Sequence, residues 1–254
     1  MIADLKGFLD EWVCKINVPA YIETDPVQFP LKYSPLLDRE VAAFLTATIT
    51  WGNRKMILKS ASSMFEKMGS SPYDFIMSEG YAKLGSGNIH RTFFEKDLVY
   101  ICKGLRACYM EFGSLEGVFA GRSSLWEGID AFRNILAAAN GGLFSKHVSN
   151  PTTNSACKRL HLALRWLVRN DGIVDHGIWS TITPSELYIP LDVHVGRVSR
   201  SLGMLDRNQN DKKAVESLTA LLRSYCPEDP VKYDFALFGI GELRAPIPGF
   251  LQQV

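Results

Sequence analysis

The chain has 254 residues, of which 46% are hydrophobic and 22% are charged, and its 28 lysines and arginines nearly balance its 27 aspartates and glutamates. This composition excludes a disordered chain, a collagen-like chain and a disulfide scaffold, and it predicts a sizeable core. The formal net charge of +1 excludes a strong overall attraction to nucleic acid or to a membrane surface, so binding of either would need a local basic face.

The cysteines and the N-terminal segment predict a protein without metal that resides in the cytoplasm. The five cysteines are scattered and include no C-x-x-C pair, so they offer no zinc or iron–sulfur ligand set, and we expect neither a metal nor another cofactor. Acidic residues stand where a signal peptide would have its apolar stretch. No apolar run approaches the roughly 20 residues of a membrane-spanning helix, so we expect no membrane partner.

The first half of the sequence predicts a series of helices with one long loop. Apolar residues at helical spacing predict a helix over residues 4–15. Asp38 is expected to cap a core helix that ends before Trp51, and the helical period then resumes up to Gly69. The long loop is predicted from four prolines, Pro19, Pro26, Pro30 and Pro35. Further helices are predicted near residues 72–79, 92–112, 114–120, 124–139 and 143–147.

Residues 156–169 form the most strongly patterned helix of the second half. At about 100° per residue, four apolar side chains share one face, namely Leu160, Ala163, Leu164 and Leu167. Lys158, Arg165 and Arg169 fall close together on the other face. The pattern therefore predicts a helix with one core face and one basic face.

A second patterned helix follows the turn-rich segment 170–191. Asp192 is its natural N-cap and Gly203 its natural stop, which predicts a helix over residues 193–203. Two more helices are predicted over about 211–224 and 229–240. Because no strand alternation of useful length occurs, the sequence predicts an all-α protein.

The segment from Ile189 to Gly203, Ile-Pro-Leu-Asp-Val-His-Val-Gly-Arg-Val-Ser-Arg-Ser-Leu-Gly, resembles the catalytic-aspartate segment of the helix-hairpin-helix DNA glycosylase superfamily. This superfamily includes endonuclease III and the 8-oxoguanine DNA glycosylases. The resemblance implies that the carboxylate of Asp192 faces a flipped nucleotide. It also implies that Lys158, near the start of the preceding helix, attacks the anomeric carbon, as in the bifunctional members.

The resemblance further implies two helical subdomains that flank a cleft. Residues 38–170 would form one subdomain, residues 1–37 with 171–254 would form the other, and Lys158 and Asp192 would lie between them. Nearly the whole chain also resembles a bacterial family of unknown function. The shared motifs are Asp25-Pro-Val, Trp51-Gly-Asn-Arg54, Lys158-Arg-Leu, Leu164-Arg-Trp-Leu-Val-Arg169 and Val231-Lys-Tyr-Asp-Phe-Ala-Leu-Phe-Gly239.

The chemistry of an N-glycosidic bond fits this pair of residues. The bond breaks through an oxocarbenium-like state, which a nearby carboxylate stabilises, and a lysine that loses its proton can act as the nucleophile. We therefore predict an enzyme that repairs DNA, a glycosylase with AP lyase chemistry available to it. Its predicted substrate is damaged duplex DNA that contains an altered purine such as 8-oxoguanine.

Other side chains are predicted to bind the DNA. The segment before Lys158 lacks the glycines of the superfamily hairpin, but phosphate could still bind near Asn154 and Ser155, at a helix N-terminus. Trp51 would stack on a base or wedge into the duplex, with Asn53 and Arg54 on polar edges. The remaining candidates are cationic or aromatic residues of the two patterned helices, Arg165, Arg169, His194 and Arg197.

Each of these residues also has a purely structural interpretation. Asp192 could be a plain helix cap, Lys158 a solvated surface lysine and Trp51 a core residue. Arg165 and Arg169 could be partners of an acidic loop or part of a solvated face. For the whole chain, two other functions stay open. One is a non-catalytic nucleic-acid-binding module on the same scaffold, and the other is a protein that binds a nucleoside or another small ligand.

Overall fold

The computed structural model describes residues 2–248, with side chains from residue 5 onward. The described residues form 13 α-helices, four short 3-10 helices and one two-stranded antiparallel sheet. The protein is therefore mostly helical, and the predicted all-α class is confirmed at this level. None of the helices described is long and apolar enough to cross a membrane.

The elements follow one another in this order. The helices are α1 (Ile2–Ile16), α2 (Pro19–Thr24), α3 (Gln28–Leu31), α4 (Leu36–Thr48), α5 (Arg54–Met68), α6 (Pro72–Met77), α7 (Glu95–Phe112), α8 (Leu115–Phe119), α9 (Leu125–Ala138), α10 (Lys158–Val168), α11 (Val193–Ser201), α12 (Lys212–Tyr225) and α13 (Tyr233–Glu242). The strands are β1 (Asn88–His90) and β2 (Phe93–Phe94). The 3-10 helices are Gly80–Lys83, Pro151–Thr153, Pro184–Glu186 and Pro230–Lys232.

The chain folds as two compact units. One is Ile22–Asn150, and the other combines the residues up to Tyr21 with those from Pro151 onward. The boundaries that we predicted, after residues 37 and 170, differ from these. Helix α3 joins the first unit because it packs against α4, and α10 joins the second because Arg165 pairs with Asp234 of α13.

In the unit Ile22–Asn150, α4 is buried on all sides over most of its length. The ring of Phe44 packs against those of Phe119 on α8 and Phe132 on α9, with centroids 6.2 and 5.0 Å away. Helix α7 packs against α9 so closely that Gly104 touches Leu136. The aromatic cluster and this close approach form the core of the unit.

The start of α4 differs from the prediction. The helix begins at Leu36, directly after Pro35, so Asp38 is not its N-cap and that prediction was wrong. Asp38 lies in the first turn, and its Oδ1 accepts hydrogen bonds from Ser71 Oγ at 2.8 Å and from the backbone N of Tyr73 at 2.9 Å. This carboxylate therefore anchors the start of α6, which only the tertiary structure brings beside it.

The proline-rich stretch is not one long loop, since it contains α2 and α3. Pro19 is the first residue of α2, where the absence of an N–H group breaks no helical hydrogen bond. In the turn before α3, Asp25 Oδ1 accepts a hydrogen bond from the backbone N of Val27 at 3.0 Å. Prolines at helix starts and an Asx-type turn thus replace the expected irregular loop.

Two other predicted helical segments are wrong. The segment 143–147 is a loop, because Gly141 and Gly142 take φ values of +69° and +81° and end the chain's helical path after α9. The start of the predicted helix 92–112 belongs instead to the hairpin β1–β2. Helix α7 begins only at Glu95, where Asp97 Oδ2 accepts a hydrogen bond from the backbone N of Phe94 at 2.9 Å.

In the second unit, α13 packs against both α1 and α11. Helix α13 is apolar and its side chains are buried along most of its length, with Tyr233 and Leu237 fully enclosed. Helix α10 is also buried on nearly every side. Helix α10, which begins with Lys158, and α13, which packs against the helix that Asp192 caps, are therefore core elements.

The close packing of α7 on α9 gives a stability prediction. We expect Gly104→Ala to lower the free energy of unfolding by about 1–3 kcal/mol, since the added Cβ would lie 2.2 Å from Leu136 Cγ. The matched change Gly7→Ala, in an exposed part of α1 with nothing within 4 Å of the new Cβ, should raise it by about 0.5–1 kcal/mol. Urea unfolding measures both. Equal effects of the two substitutions would contradict the close packing.

Candidate active site

Asp192 lies at the N-terminus of α11 and caps it, as the sequence predicted. Its Oδ1 accepts a hydrogen bond from the backbone N of Val195 at 2.9 Å. Among the residues described, its second oxygen, Oδ2, takes part in no hydrogen bond or ion pair. The residue is half-buried. One carboxylate oxygen is thus used by the helix, and the other is available to a ligand.

The opposite end of α11 is also as predicted. Gly203 takes a left-handed φ of +65°, the backbone N of Gly203 donates to Arg200 O at 3.0 Å, and that of Met204 donates to Ser199 O at 2.8 Å. These two bonds form a Schellman motif. The local cap and stop signals therefore fix the helix that carries Asp192.

Lys158 is the first residue of α10 and is half-buried. The residue before it, Cys157, has a left-handed φ of +46°, which turns the chain sharply into the helix. The charge of Lys158 acts on the buried carboxyl group of Asp234, and so does the charge of Asp192. The structure therefore brings these two predicted residues within electrostatic reach of one acidic group.

That acidic group, Asp234 in the first turn of α13, was not singled out from the sequence. Its side chain is buried, and burial raises its pKa to about 6. The negative charge of Asp192 also raises this pKa, whereas the positive charges of Arg165 and Lys158 lower it. Near neutral pH, Asp234 is thus a carboxyl group that can hold or release a proton beside both predicted catalytic residues.

Arg165 does not lie on an exposed basic face. It is 4% exposed, and its Nε and Nη2 bind the two carboxylate oxygens of Asp175 at 3.0 and 3.1 Å, while Nη1 binds Asp234. Its guanidinium group also stacks on the ring of Phe235, 4.2 Å from the centroid. Every side of this arginine has a partner inside the protein, so we do not retain it as a DNA ligand.

Arg169 is buried in the same way. Its Nε binds both oxygens of Asp229, at 3.1 and 2.9 Å, and its Nη1 binds Asp175 at 2.9 Å as well as Asp171. Asp171 in turn accepts a hydrogen bond from Asn17 at the end of α1. The guanidinium group of Arg169 is therefore bound inside the protein, which does not agree with the predicted contact between Arg169 and DNA.

These contacts define one buried cluster, which we call the Arg–Asp cluster, formed by Arg165, Arg169, Asp171, Asp175, Asp229 and Asp234. Two guanidinium groups face four carboxyl groups, so the cluster carries excess negative charge when all of its members are ionised. This excess and burial both favour a proton on the cluster. The basic face predicted for α10 is therefore neutralised from within the protein.

Asn154 and Ser155 are engaged by the loop that enters α12. Asn154 Nδ2 donates to Asp211 Oδ2 at 2.7 Å, and Ser155 forms an isolated antiparallel bridge with Asp211. Ser155 Oγ accepts a hydrogen bond from the backbone N of Cys157 at 3.3 Å. These partners hold the segment before Lys158 in place.

His194 and Arg197 lie on α11 and contact α13. The rings of His194 and Phe238 pack edge to face, with centroids 5.7 Å apart. Gly241 also approaches His194 closely, since a Cβ on Gly241 would lie 2.8 Å from the Cβ of His194. Arg197 is exposed, and its Nη2 donates to Gly241 O at 2.7 Å. Of the predicted cationic ligands of these two helices, Arg197 is the one with an exposed side chain.

Trp51, Asn53 and Arg54 lie in the other compact unit. Trp51 is half-buried, stacks on His147 and hydrogen-bonds His90 through its backbone O. Asn53 is exposed and caps α5, and Arg54 pairs with Asp25 at 3.6 Å. Local contacts account for each of these residues.

The missed acids had a recognisable signal. Asp234 interrupts an otherwise apolar helix, and a buried carboxylate requires a partner. Asp171 and Asp175 directly follow the basic helix.

No group of three or more His, Cys, Asp or Glu side chains in residues 2–248 is arranged to hold a metal ion.

The comparisons with known proteins identify a family. A family model described as a protein of unknown function, DUF2400, matches residues 25–243, so the chain belongs to that family. No curated protein and no solved structure matches the chain.

The raised pKa of Asp234 predicts a pH dependence. Because this pKa is about 6 in the folded protein and 3.8 ordinarily, the folded state binds the proton more tightly than the unfolded chain does. The resulting stabilisation is present below about pH 4 and is lost as the pH rises through about 6, by roughly 3 kcal/mol. As the pH rises, the difference in the free energy of unfolding between the wild type and Asp234→Asn should therefore fall by that amount.

Urea unfolding of both proteins between about pH 4 and pH 8 measures this difference. Asp206→Asn, at an exposed position of the same unit, is the control for the substitution itself. A difference between wild type and Asp234→Asn that is constant over the whole range would contradict the raised pKa.

Proposed function

We propose that this protein is a DNA glycosylase that removes a damaged base, with Lys158 as its nucleophile and Asp192 as its electrostatic partner. The observation that carries the proposal is that the charges of both residues act on the same buried carboxyl group, Asp234. The free Oδ2 of Asp192 supports it further. A helix-hairpin-helix arrangement of the fold and a damaged purine such as 8-oxoguanine as the substrate are parts of the same proposal.

The reaction proceeds by substitution at the sugar. The neutral amine of Lys158 attacks C1′, the N-glycosidic bond breaks, and the base departs with the bonding electrons and takes up a proton. The carboxylate of Asp192 stabilises the positive charge that develops on the sugar ring. The first covalent product is an aminal at C1′. The nitrogen lone pair then forms the C1′=N bond while the C1′–O4′ bond breaks and O4′ takes up a proton, which gives a ring-opened Schiff base. Loss of a proton from C2′ and departure of the 3′-phosphate from this Schiff base give the AP lyase reaction.

Asp234 has a place in this chemistry. Its carboxyl group lies in the field of both Lys158 and Asp192 and titrates near neutral pH. It can therefore hold the proton that Lys158 loses, while the carboxylate of Asp192 faces the sugar in the proposed reaction. Two carboxyl groups with different surroundings thus take different roles.

The duplex has to be bound by cations other than Arg165 and Arg169, since both are neutralised inside the Arg–Asp cluster. Arg197 is exposed on the same helix that Asp192 caps. If few cations contact phosphate, both the non-specific affinity and its dependence on salt are expected to be small. Selection of the target then depends on the extruded base.

Borohydride trapping tests the proposal. Wild-type protein is incubated with duplexes that carry 8-oxoguanine, other altered purines or an abasic site, and sodium borohydride reduces any Schiff base. We expect a covalent adduct that Lys158→Gln abolishes. Asp192→Asn should lower the rate by about 10²–10³-fold, because the charge is lost. Asparagine still caps a helix, so this loss would not reflect unfolding.

The matched controls are Lys213→Gln and Asp206→Asn, both at exposed positions of the same unit. They should form the adduct at the wild-type rate. Absence of base release and of adduct with every duplex would overturn the proposal. If binding to duplex remained without either product, the non-catalytic nucleic-acid-binding alternative would replace it.

A further inference from the structure

Two adjacent residues in the loop before α12, Asn210 and Asp211, connect the segments that carry Asp192 and Lys158. Asn210 Nδ2 donates a hydrogen bond to the backbone O of Asp192 at 2.9 Å. Asp211 Oδ2 accepts a hydrogen bond at 2.7 Å from Asn154, in the segment that leads into Lys158. One short piece of chain therefore binds both the backbone of Asp192 and the segment that leads into Lys158.

The bond to the segment before Lys158 is reinforced by the backbone. The backbone N of Lys212 donates to Asn154 O at 3.0 Å, and Ser155 and Asp211 form an antiparallel bridge. Asp211 Oδ1 also accepts from the backbone N of Ala214 at 3.1 Å, so the same carboxylate caps α12. This side chain is thus fixed by a helix at the point where it binds Asn154.

The bond to Asp192 is enclosed by α11. A Cβ on Gly196 would lie 2.5 Å from Asn210 Oδ1, so only glycine leaves room for the carboxamide group there. Arg200 Nη2 donates to the same Oδ1, and Arg200 Nε donates to Arg207 O at 2.8 Å. Arg207 in turn pairs with Asp211. Arg200 therefore orients Asn210, and Arg207, whose backbone O binds Arg200, orients Asp211.

We propose that Asn210 and Asp211 are positioning residues that fix the N-cap carboxylate of Asp192 relative to the segment entering Lys158. The inference rests on the proposed function, because the spacing of Lys158 and Asp192 affects a rate only if both act on one nucleotide. A displacement of about 1 Å at a reacting centre lowers a rate by up to about 10²-fold. A purely structural link would change stability and leave the chemical step unaffected.

The test uses two variants that displace the same carboxamide from different sides. Asn210→Asp keeps the shape of the side chain but removes the N–H donor to Asp192. Gly196→Ala leaves Asn210 intact and pushes its side chain away, while alanine favours the helix more than glycine does. Asn208→Asp, at an exposed position of the same loop, is the matched control.

We expect both variants to lower the single-turnover rate of adduct formation by about 10–100-fold. The dissociation constant for the same duplex should stay at the wild-type value, and both variants should remain folded at the assay temperature, with any fall in melting temperature too small to account for the loss of rate. Asn208→Asp should not differ from wild type. Wild-type rates in both variants would overturn the inference. A loss of rate matched by equal losses of duplex affinity and thermal stability would also overturn it, because it would indicate a structural role alone.

A readout without catalysis separates this inference from the proposed function. If wild-type protein forms no adduct, the proposed function fails. Amide hydrogen exchange of the free protein then tests whether Asn210 and Asp211 connect the two segments. Faster exchange in both residues 154–160 and residues 192–196 of Asn210→Asp supports the connection between the two segments. Unchanged exchange in either segment overturns it.

Discussion

The burial of two arginines among four aspartates is the constraint on which the candidate site depends. Arg165 and Arg169 both leave water, and the Arg–Asp cluster supplies ionic partners for each of their guanidinium groups. Removal of one member of such a cluster costs about 3–5 kcal/mol, because an uncompensated charge stays buried. The cluster joins α10, the turn after it and α13, so these three elements have one mutual arrangement. Lys158 begins the first of them, and Asp234 lies in the last.

Local signals in the sequence predicted the helices and the cap at Asp192, because a cap and a stop are decided within a few residues. Contacts between distant segments could not be predicted in this way. The helical period placed Arg165 opposite the leucines of α10 and hence on a predicted surface, but Asp234 approaches that side from another helix. Asp38 has the residue type of an N-cap, yet its partner Ser71 lies on a different element. Periodicity describes one helix, whereas a buried charge depends on its neighbours.

The placement of charge changes what the near-zero net charge means for function. The basic helix α10 does not present Arg165, nor the Arg169 that follows its last turn, to a ligand, since these two arginines hold acidic side chains inside the protein. What remains beside Lys158 is a pair of carboxyl groups, Asp192 and Asp234, in different surroundings. Chemistry at a developing positive charge fits this site better than phosphate binding does. The description of the DUF2400 family assigns no reaction, and the chemistry of these side chains carries the proposal.

The central claim is that Lys158 forms the bond to the sugar, and the site of attachment tests it most directly. The borohydride-reduced adduct is digested with protease and nuclease, and tandem mass spectrometry identifies the lysine that carries the sugar remnant. The account predicts modification of Lys158 as the single major site. Attachment to another lysine of the same unit, such as Lys212 or Lys213, or to the N-terminal amine would contradict it.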